Sequence, residues 1–282
     1  MEIIYKDLGI IKFKDAFAEQ EKIFNTVISD KLLTINSGDT TTNHLSLNSN
    51  HCKHHLLFCE HPHTYTLGNS GNQNNLLISE DFLRKIDAEF YKTNRGGDIT
   101  YHGPGQIVGY PIFDIEAMNL GIKDYIELLE ESIINTLLEF EIKSERLSGA
   151  TGVWLDTVVN DKRLMSNPIQ NSKFKIQNDV TVGAGSARPT TNINHLPLTI
   201  NHYNPRKICA IGVRASRYVT MHGFALNVNT NLDYFRYINP CGFVDKSVTS
   251  MENELGTKQN MEAVKTKLFE NIIKIFCNLV NI

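Results

Sequence analysis

The stretch RGGDITYHGPGQ (95–106) carries four glycines in twelve positions and leads directly into the apolar run 107–115. β-Branched and aromatic residues between glycines are typical of strands joined by tight turns. Glycine also lets a backbone approach a ligand where a Cβ would clash, so this stretch indicates either a ligand site or a plain chain reversal. It is not a dinucleotide-binding loop, because a strand follows where that motif needs a helix N-terminus.

Outward from this stretch, helix and strand patterns mix without a regular alternation. Apolar residues recur at helical spacing over 13–32, 122–140 and 261–279, and 79–86 has the pattern of a short helix. Strand candidates are 3–5, 56–59, 152–155, 208–214 and 219–229. This mixture predicts an α/β (α+β) fold in which helices pack on a mixed central sheet.

The length of 282 residues allows one large domain or two small ones. Residues 37–53 are polar and lack periodicity, which predicts a surface loop, and 157–206 are longer than an ordinary connection. We predict a single domain over 1–282, with a polar loop at 37–53 and an insertion at about 157–206.

Charge and composition exclude several classes of function. Twenty-eight basic and 31 acidic residues give a formal net charge of -3, so no overall basic field favours nucleic acid or an anionic membrane. No window approaches the roughly 18 apolar residues of a membrane span. The start of the chain lacks a basic leader, and five cysteines at scattered positions predict free thiols. These features predict a cytoplasmic protein.

A group of histidines, with two cysteines between them, raises the question of a metal site. The group comprises His51, His54, His55, His61 and His63, interleaved with Cys52 and Cys59. No paired Cys-x-x-Cys or His-Glu-x-x-His spacing is present. We therefore expect solvated histidines and no metal.

Cys241 differs from the other cysteines because Pro240 and Gly242 flank it and hold it in a turn. Cys209 and Cys277 lie in apolar patterns, where thiols act as small hydrophobic groups. A thiol in a turn is either structural or a nucleophile presented to a cleft.

A nucleophilic thiol needs a neighbouring base or cation, and three residues are candidates: His102, His222 and Lys207. Lys207 enters an apolar strand, where a lysine either snorkels to the surface or forms a thiolate–ammonium pair. Each histidine either polarises a substrate or is a satisfied structural group.

Four motifs in order resemble the lipoyl(octanoyl) transferases: RGGDITYHGPGQ (95–106), KICAIG (207–212), HGFALNVN (222–229) and PCG (240–242). TYTLG (64–68) also fits. The resemblance implies the fold of the catalytic domain shared with biotin and lipoate protein ligases. The chain departs from this family chiefly in the insertion at about 157–206.

The resemblance implies an acyltransferase that needs no metal, ATP or other cofactor. Such enzymes move octanoyl from octanoyl-acyl carrier protein to a lysine on lipoyl domains of 2-oxo-acid dehydrogenase E2 subunits and the glycine cleavage H protein. It implies Cys241 as the nucleophile and Lys207 as general acid and base. The implied substrate-binding residues are Arg95, Gly96, Gly97, Asp98, Ile99, Thr100, Tyr101, His102, Ala210, Ile211, Gly212, Gly223, Phe224 and Ala225, with His222 in support.

Three alternatives are distinguishable from this activity. An ATP-dependent lipoate or biotin ligase would form an acyl-adenylate without a nucleophilic thiol, a Cys–His thioesterase would release octanoate to water, and a carrier-binding protein would tolerate loss of Cys241 and Lys207. The PCG element argues against the ligase. The sequence leaves open the acyl chain length, the oligomeric state and the preferred acceptor.

Overall fold

A mixed sheet of eight strands organises the part of the chain that the computed structural model describes, namely residues 2–36, 53–156, 205–239 and 247–278. Its strands are β1 (Ile3–Ile10), β2 (His54–Glu60), β6 (Gln106–Ile112), β7 (Glu145–Leu147), β8 (Ala150–Leu155), β9 (Arg206–Ser216), β10 (Val219–Asn227) and β11 (Ser247–Val248). Their order is β1-β2-β6-β10-β9-β8-β7, with β11 paired to β9. The β1–β2 and β9–β11 pairs are parallel and the other pairs are antiparallel.

Helices cover both faces of this sheet. The helix α1 (Phe13–Asn36) lies on one face, and α3 (Ile122–Glu139) and α5 (Met261–Asn278) pack together on the other. Side chains of β10 alternate between the two cores: Phe224 joins the α3–α5 core and Ala225 joins the α1 core. Each helix buries one apolar stripe, as its spacing predicts.

A smaller sheet stands beside the main one. It consists of β3 (Thr64–Leu67), β4 (Glu89–Lys92) and β5 (Ile99–His102) in the order β4-β3-β5. Its apolar residues pack with α2 (Glu80–Lys85) and with the 3₁₀ helix Leu232–Tyr237. A short 3₁₀ helix (Gln73–Asn75) and the helix α4 (Met251–Leu255) complete the described elements.

The predicted fold class is confirmed, since helices pack on a mixed sheet. The predicted strand at 3–5 extends to Ile10, and β3, β7, β11 and α4 were not predicted from their patterns. The polar loop 37–53 and the insertion 157–206 lie almost wholly outside the described residues, so they and the single-domain organisation stay predictions. Among the described helices, none has a stretch both apolar and long enough to span a bilayer.

Candidate active site

The floor of a pocket forms where β9 and β10 carry their smallest residues. Ala210 pairs with Ala225, and Gly212 pairs with Gly223, across the two antiparallel strands. Four small residues in a block leave a hollow that larger side chains would fill in a close-packed interior. The hollow faces α1, because Ala225 belongs to the core on that side.

Side chains from several elements form the walls of this pocket. They are Phe13 of α1, Arg95 of the glycine-rich segment, Thr100 and His102 of β5, Val108 and Tyr110 of β6, and His222 of β10. Ile211 and Phe224 border the floor between its small residues, and their side chains pack in the α3–α5 core on the other face. The pocket has about 430 Å³ of empty space, including its open mouth. A mainly apolar lining with a few fixed polar groups suits a small ligand with an apolar chain.

The glycine-rich segment is fastened to the pocket floor through its backbone and through Arg95. The Gly96 N–H donates to the Val213 carbonyl oxygen at 2.9 Å. Arg95 donates from Nη2 to the carbonyl oxygen of Thr66 at 2.7 Å and to its Oγ1 at 3.0 Å. A Cβ on Gly212 would lie 2.8 Å from the Gly96 carbonyl oxygen, closer than packed atoms approach. The motif therefore lets two backbone segments meet beside the pocket.

Five residues of the predicted substrate-binding set do not line the pocket: Gly96, Gly97, Asp98, Ile99 and Tyr101. Ile99 and Tyr101 alternate with Thr100 and His102 along β5, so they face the core of the smaller sheet. Asp98 accepts hydrogen bonds from Asn75 Nδ2 at 2.6 Å and from the Ile99 N–H. The Gly97 carbonyl oxygen accepts from the Ser70 N–H at 3.1 Å. The structure gives these residues contacts within the fold.

His102 is a buried, neutral wall residue. Its Nδ1 donates to Gln106 Oε1 at 2.8 Å, because the Gln106 Nε2 is occupied as a donor to the Tyr101 carbonyl oxygen and to Asn227 Oδ1. Its Nε2 lies 3.2 Å from Thr66 Oγ1. Burial lowers the pKa of His102 to about 3. At neutral pH this imidazole carries no charge with which to stabilise a thiolate.

His222 is also neutral, and its backbone is unusual. Its φ of 61° is in the left-handed region, although it lies within β10. Its Nε2 lies 2.7 Å from Asn94 Oδ1, an acceptor, so Nε2 carries the proton. The pKa of His222 is lowered to about 3. Burial is the largest cause, and the positive charges of Arg95 and Arg214 add to it. His222 lines the pocket together with the floor and wall residues named above.

Lys207 lies at the start of β9, where it pairs with Trp154 of β8 and Val248 of β11. Its Nζ is 4.5 Å from the centroid of the Trp154 ring. Val153 and Leu155 face the α3–α5 core, so strand alternation places Trp154 and the ammonium above it on the opposite face, which is the pocket face. Lys207 and the pocket floor thus share one strand and one side of the sheet.

Gly152 of β8 lets this strand approach the β9 backbone closely, two residues from Lys207. Its φ of 118° is a conformation that other residues rarely adopt, and a Cβ there would lie 2.5 Å from the Cys209 carbonyl oxygen. The Gly152 N–H donates to Glu130 Oε1 at 2.9 Å. This buried carboxylate fixes the irregular backbone next to Lys207.

Cys241 lies outside the described residues, and its role stays a prediction. Cys59, Cys209 and Cys277 are free thiols, and burial raises the pKa of each. A raised pKa leaves a thiol protonated and unreactive at neutral pH. The three thiols that the structure describes are therefore unsuited to nucleophilic catalysis.

The expectation of solvated histidines is wrong for His54 and His61, which are 2% and 0% exposed. His61 donates from Nδ1 to the Ile11 carbonyl oxygen at 2.7 Å and accepts at Nε2 from the Tyr110 hydroxyl at 2.6 Å. Both histidines lie in β2 or directly after it, where strand burial overrides the polar composition of the preceding loop. His51 and Cys52 lie outside the described residues, and within the described ranges no three potential ligands are placed to hold a metal ion.

Sequence reasoning missed three wall residues: Phe13, Val108 and Tyr110. Val108 and Tyr110 are two apart in β6 and so share a face, a signal present in the apolar run after the glycine-rich stretch. Phe13 begins α1 and contacts the pocket only through tertiary packing, so no local pattern identifies it.

Comparison with known proteins gives concordant matches. The family described as the lipoyl protein ligase A/B catalytic domain matches residues 39–273. Octanoyltransferase from Parabacteroides distasonis is 44% identical over 272 residues, covering 96% of this chain and 97% of that protein. Octanoyltransferase from Christiangramia forsetii is also 44% identical, covering 98% of this chain and 96% of that protein.

Two solved structures share the fold. A bipartite lipoate protein ligase from Thermoplasma acidophilum has a TM-score of 0.56 at 12% identity and covers 98% of this chain and 84% of that chain. Lipoate-protein ligase A bound with ATP has a TM-score of 0.53 at 12% identity and covers 98% of this chain and 85% of that chain. At this identity the likeness concerns architecture alone.

Proposed function

Because the chain belongs to the lipoyl protein ligase A/B catalytic domain family, we propose that it is an octanoyltransferase that acts in protein lipoylation. The observation that carries this proposal is its 44% identity, over nearly the whole length of both chains, to octanoyltransferases. The resemblance to lipoate ligases is at 12% identity and concerns the fold, so it does not favour an ATP-dependent reaction.

The pocket described above is the proposed octanoyl site. Its floor of Ala210, Gly212, Gly223 and Ala225 is small and largely apolar, and Phe13 and Val108 add apolar walls. Burial of an alkyl chain contributes about 0.8 kcal/mol per methylene, so a narrow apolar groove gives a saturated acyl group its affinity. His102 and His222, both neutral, add polar groups without placing a charge beside the chain.

Cys241 is the proposed nucleophile and Lys207 its partner. Pairing of Val248 with Lys207 supports this assignment, because the segment 240–246 that carries Cys241 ends where β11 joins β9. The Lys207 ammonium lies on the pocket face, where a cation lowers the pKa of a nearby thiol. The described histidines at the pocket are neutral, which leaves Lys207 as the cationic candidate from the sequence.

The proposed reaction has two acyl transfers that balance without a cofactor. The Cys241 thiolate attacks the thioester carbonyl, the carbon–sulfur bond to the pantetheine breaks, and Lys207 protonates the departing thiolate. The lysine amine of the acceptor then attacks the Cys241 thioester, Lys207 takes its proton, and the cysteine thiolate leaves as the amide forms.

The proposed donor is octanoyl-acyl carrier protein, and the proposed acceptors are the lipoyl domains of 2-oxo-acid dehydrogenase E2 subunits and the glycine cleavage H protein. The octanoyltransferase relatives support an octanoyl donor. The free thiols of Cys59, Cys209 and Cys277 support a reducing location, which we propose to be the cytoplasm.

The decisive experiment incubates the full chain with octanoyl-acyl carrier protein in the absence of ATP. We expect a hydroxylamine-labile octanoyl adduct on Cys241, detected by intact mass and peptide mapping, which transfers to an added lipoyl domain. A thioester forms because thiolate exchange between thioesters is nearly balanced in energy.

Cys241→Ser is the test variant and Cys277→Ser the matched control, since Cys277 has a raised pKa and lies in α5. Loss of the adduct in the first variant alone supports the mechanism. Octanoylation of the lipoyl domain only when octanoate and ATP are supplied would overturn it in favour of a ligase.

A further inference from the structure

The pocket runs along β9 and β10 away from Lys207, and its other end has a distinctive structure. Ala210 and Ala225 face each other three residues from Lys207, followed by Gly212 and Gly223. His222 comes next and pairs with Val213, six residues beyond Lys207. At about 3.3 Å per residue, His222 lies about 20 Å along the strand from Lys207 and about 10 Å from the alanine pair.

A change in backbone direction brings His222 to this end. β6 pairs with β10 from Asn227 to Phe224, and this pairing stops before Pro111, which has no N–H to donate. A Cβ on Gly223 would lie 2.2 Å from the Gly109 carbonyl oxygen and 2.6 Å from Pro111 Cδ. His222 then adopts its φ of 61°, a conformation that is uncommon outside glycine and occurs where surrounding structure enforces it.

His222 is held through its side chain and its backbone. Its Nε2 donates to Asn94 Oδ1 at 2.7 Å, and its ring centroid is 5.7 Å from that of Phe17 in α1. The backbone N–H of His222 donates to Gln20 Oε1 at 3.2 Å. The residue is 2% exposed. A side chain fixed in this way forms a rigid wall that does not yield to a longer ligand.

We infer that His222 closes the distal end of the acyl pocket and sets the upper limit on acyl chain length near eight carbons. An extended eight-carbon chain is about 9 Å long for carbon–carbon bonds of about 1.5 Å. With its carbonyl group beside the alanine pair, three residues from Lys207, such a chain ends at His222. This inference rests on the proposed octanoyl transfer and identifies the residue that limits the length of the acyl chain. His222 acts here through its bulk at the end of the chain, with its proton committed to Asn94.

The test measures acylation of Cys241 with acyl carrier protein donors of six to fourteen carbons, comparing wild type with His222→Gly. Glycine removes the imidazole and accepts the positive φ without strain. We expect the ratio of kcat/KM for dodecanoyl to that for octanoyl to rise by about tenfold or more, since pocket fit discriminates single methylenes by about tenfold or more. His222→Asn, which tolerates a positive φ and is shorter than histidine, should raise the same ratio to a smaller extent.

Tyr218→Gly is the matched control. Tyr218 also has a positive φ, 62°, but it is 55% exposed and does not line the pocket, so its ratio should stay at the wild-type value. An unchanged ratio in both His222 variants overturns the inference, as does an equal rise in Tyr218→Gly. If wild type forms no octanoyl adduct, the proposed function fails; if it forms one with an unaltered chain-length profile in the His222 variants, only this inference fails.

Discussion

At the scale of single residues, the environment of Lys207 differs from that of the histidines near it. Its Nζ lies over the face of Trp154, an arrangement that retains a positive charge at a partly buried position. His102 and His222 lose theirs through burial. Lys207 is therefore the proposed cationic partner of a thiolate, a role that neither neutral imidazole can take.

We expect Lys207→Met to slow transfer of octanoyl to a lipoyl domain by a factor of about 10² to 10⁴, the range that general acid–base catalysis contributes. Removing the cation also raises the pKa of the Cys241 thiol, so alkylation by iodoacetamide should need a higher pH. The pH profile of alkylation, followed by peptide mapping, measures this shift. Lys6→Met, on the exposed edge of β1, is the control, and an identical profile in both variants would contradict the pairing.

At the scale of elements, the 3₁₀ helix Leu232–Tyr237 is bound tightly to the smaller sheet just before the segment that carries Cys241. The Tyr234 ring stacks on His63 with centroids 4.0 Å apart and on Tyr101 at 5.0 Å. The Tyr65 hydroxyl donates to the Tyr234 carbonyl oxygen at 2.9 Å, and the Asn239 N–H donates to the Asn75 carbonyl oxygen at 2.8 Å. These contacts fix where the chain enters 240–246.

Tyr234→Ala should therefore reduce the rate of Cys241 octanoylation by about tenfold or more, because small displacements of a reacting group have large effects on rate. Single-turnover mass spectrometry at saturating donor measures this rate. Arg236→Ala is the control from the same helix, since its side chain is 81% exposed and pairs only with Asp233 among the described carboxylates. An equal rate in the two variants would show that the stack does not position the nucleophile.

Elements with a long, regular pattern were predictable and those defined by tertiary contact were not. The stripes of α1, α3 and α5 and the apolar run that forms β6 led to the fold class without structural information. The two-residue strand β11 has no pattern of its own and exists because Val248 pairs with Lys207. Likewise, the glycine-rich motif predicted the pocket region, but only the alternation of β5 separates Thr100 and His102 from Ile99 and Tyr101.

At the scale of the whole molecule, four buried histidines couple stability to pH. Burial lowers the pKa of His54 and His61 to about 4, and that of His102 and His222 to about 3, from an ordinary value of 6.5. At pH values between 6.5 and these lowered pKa values, the histidines of the unfolded chain bind protons and those of the native state do not. The free energy of unfolding therefore falls as pH decreases below 6.5, by up to about 1.4 kcal/mol per pH unit for each histidine.

Urea denaturation at pH 7.5, 6.0 and 5.0 should show a free energy of unfolding that falls steeply below pH 6.5. His61→Gln should reduce the slope of the unfolding free energy against pH by at most about 1.4 kcal/mol per pH unit, because unfolding then takes up about one proton fewer. His55→Gln is the comparison, because His55 is only partly buried and burial lowers its pKa less than that of His61. If both variants keep the slope of wild type, proton uptake by His61 does not cause the acid sensitivity.

The pairing of β6 with β10 brings together residues more than 100 positions apart, as Gly109 and Phe224 illustrate. Contacts between such distant segments form slowly, because a long loop must close before they contribute any stability. On the ribosome, the first 112 residues include β2 and β6 but have no partner for the outer edge of β6 until β10 emerges. The pocket is therefore acquired late in synthesis, and nascent chains that stop before β10 begins at Val219 should lack it altogether.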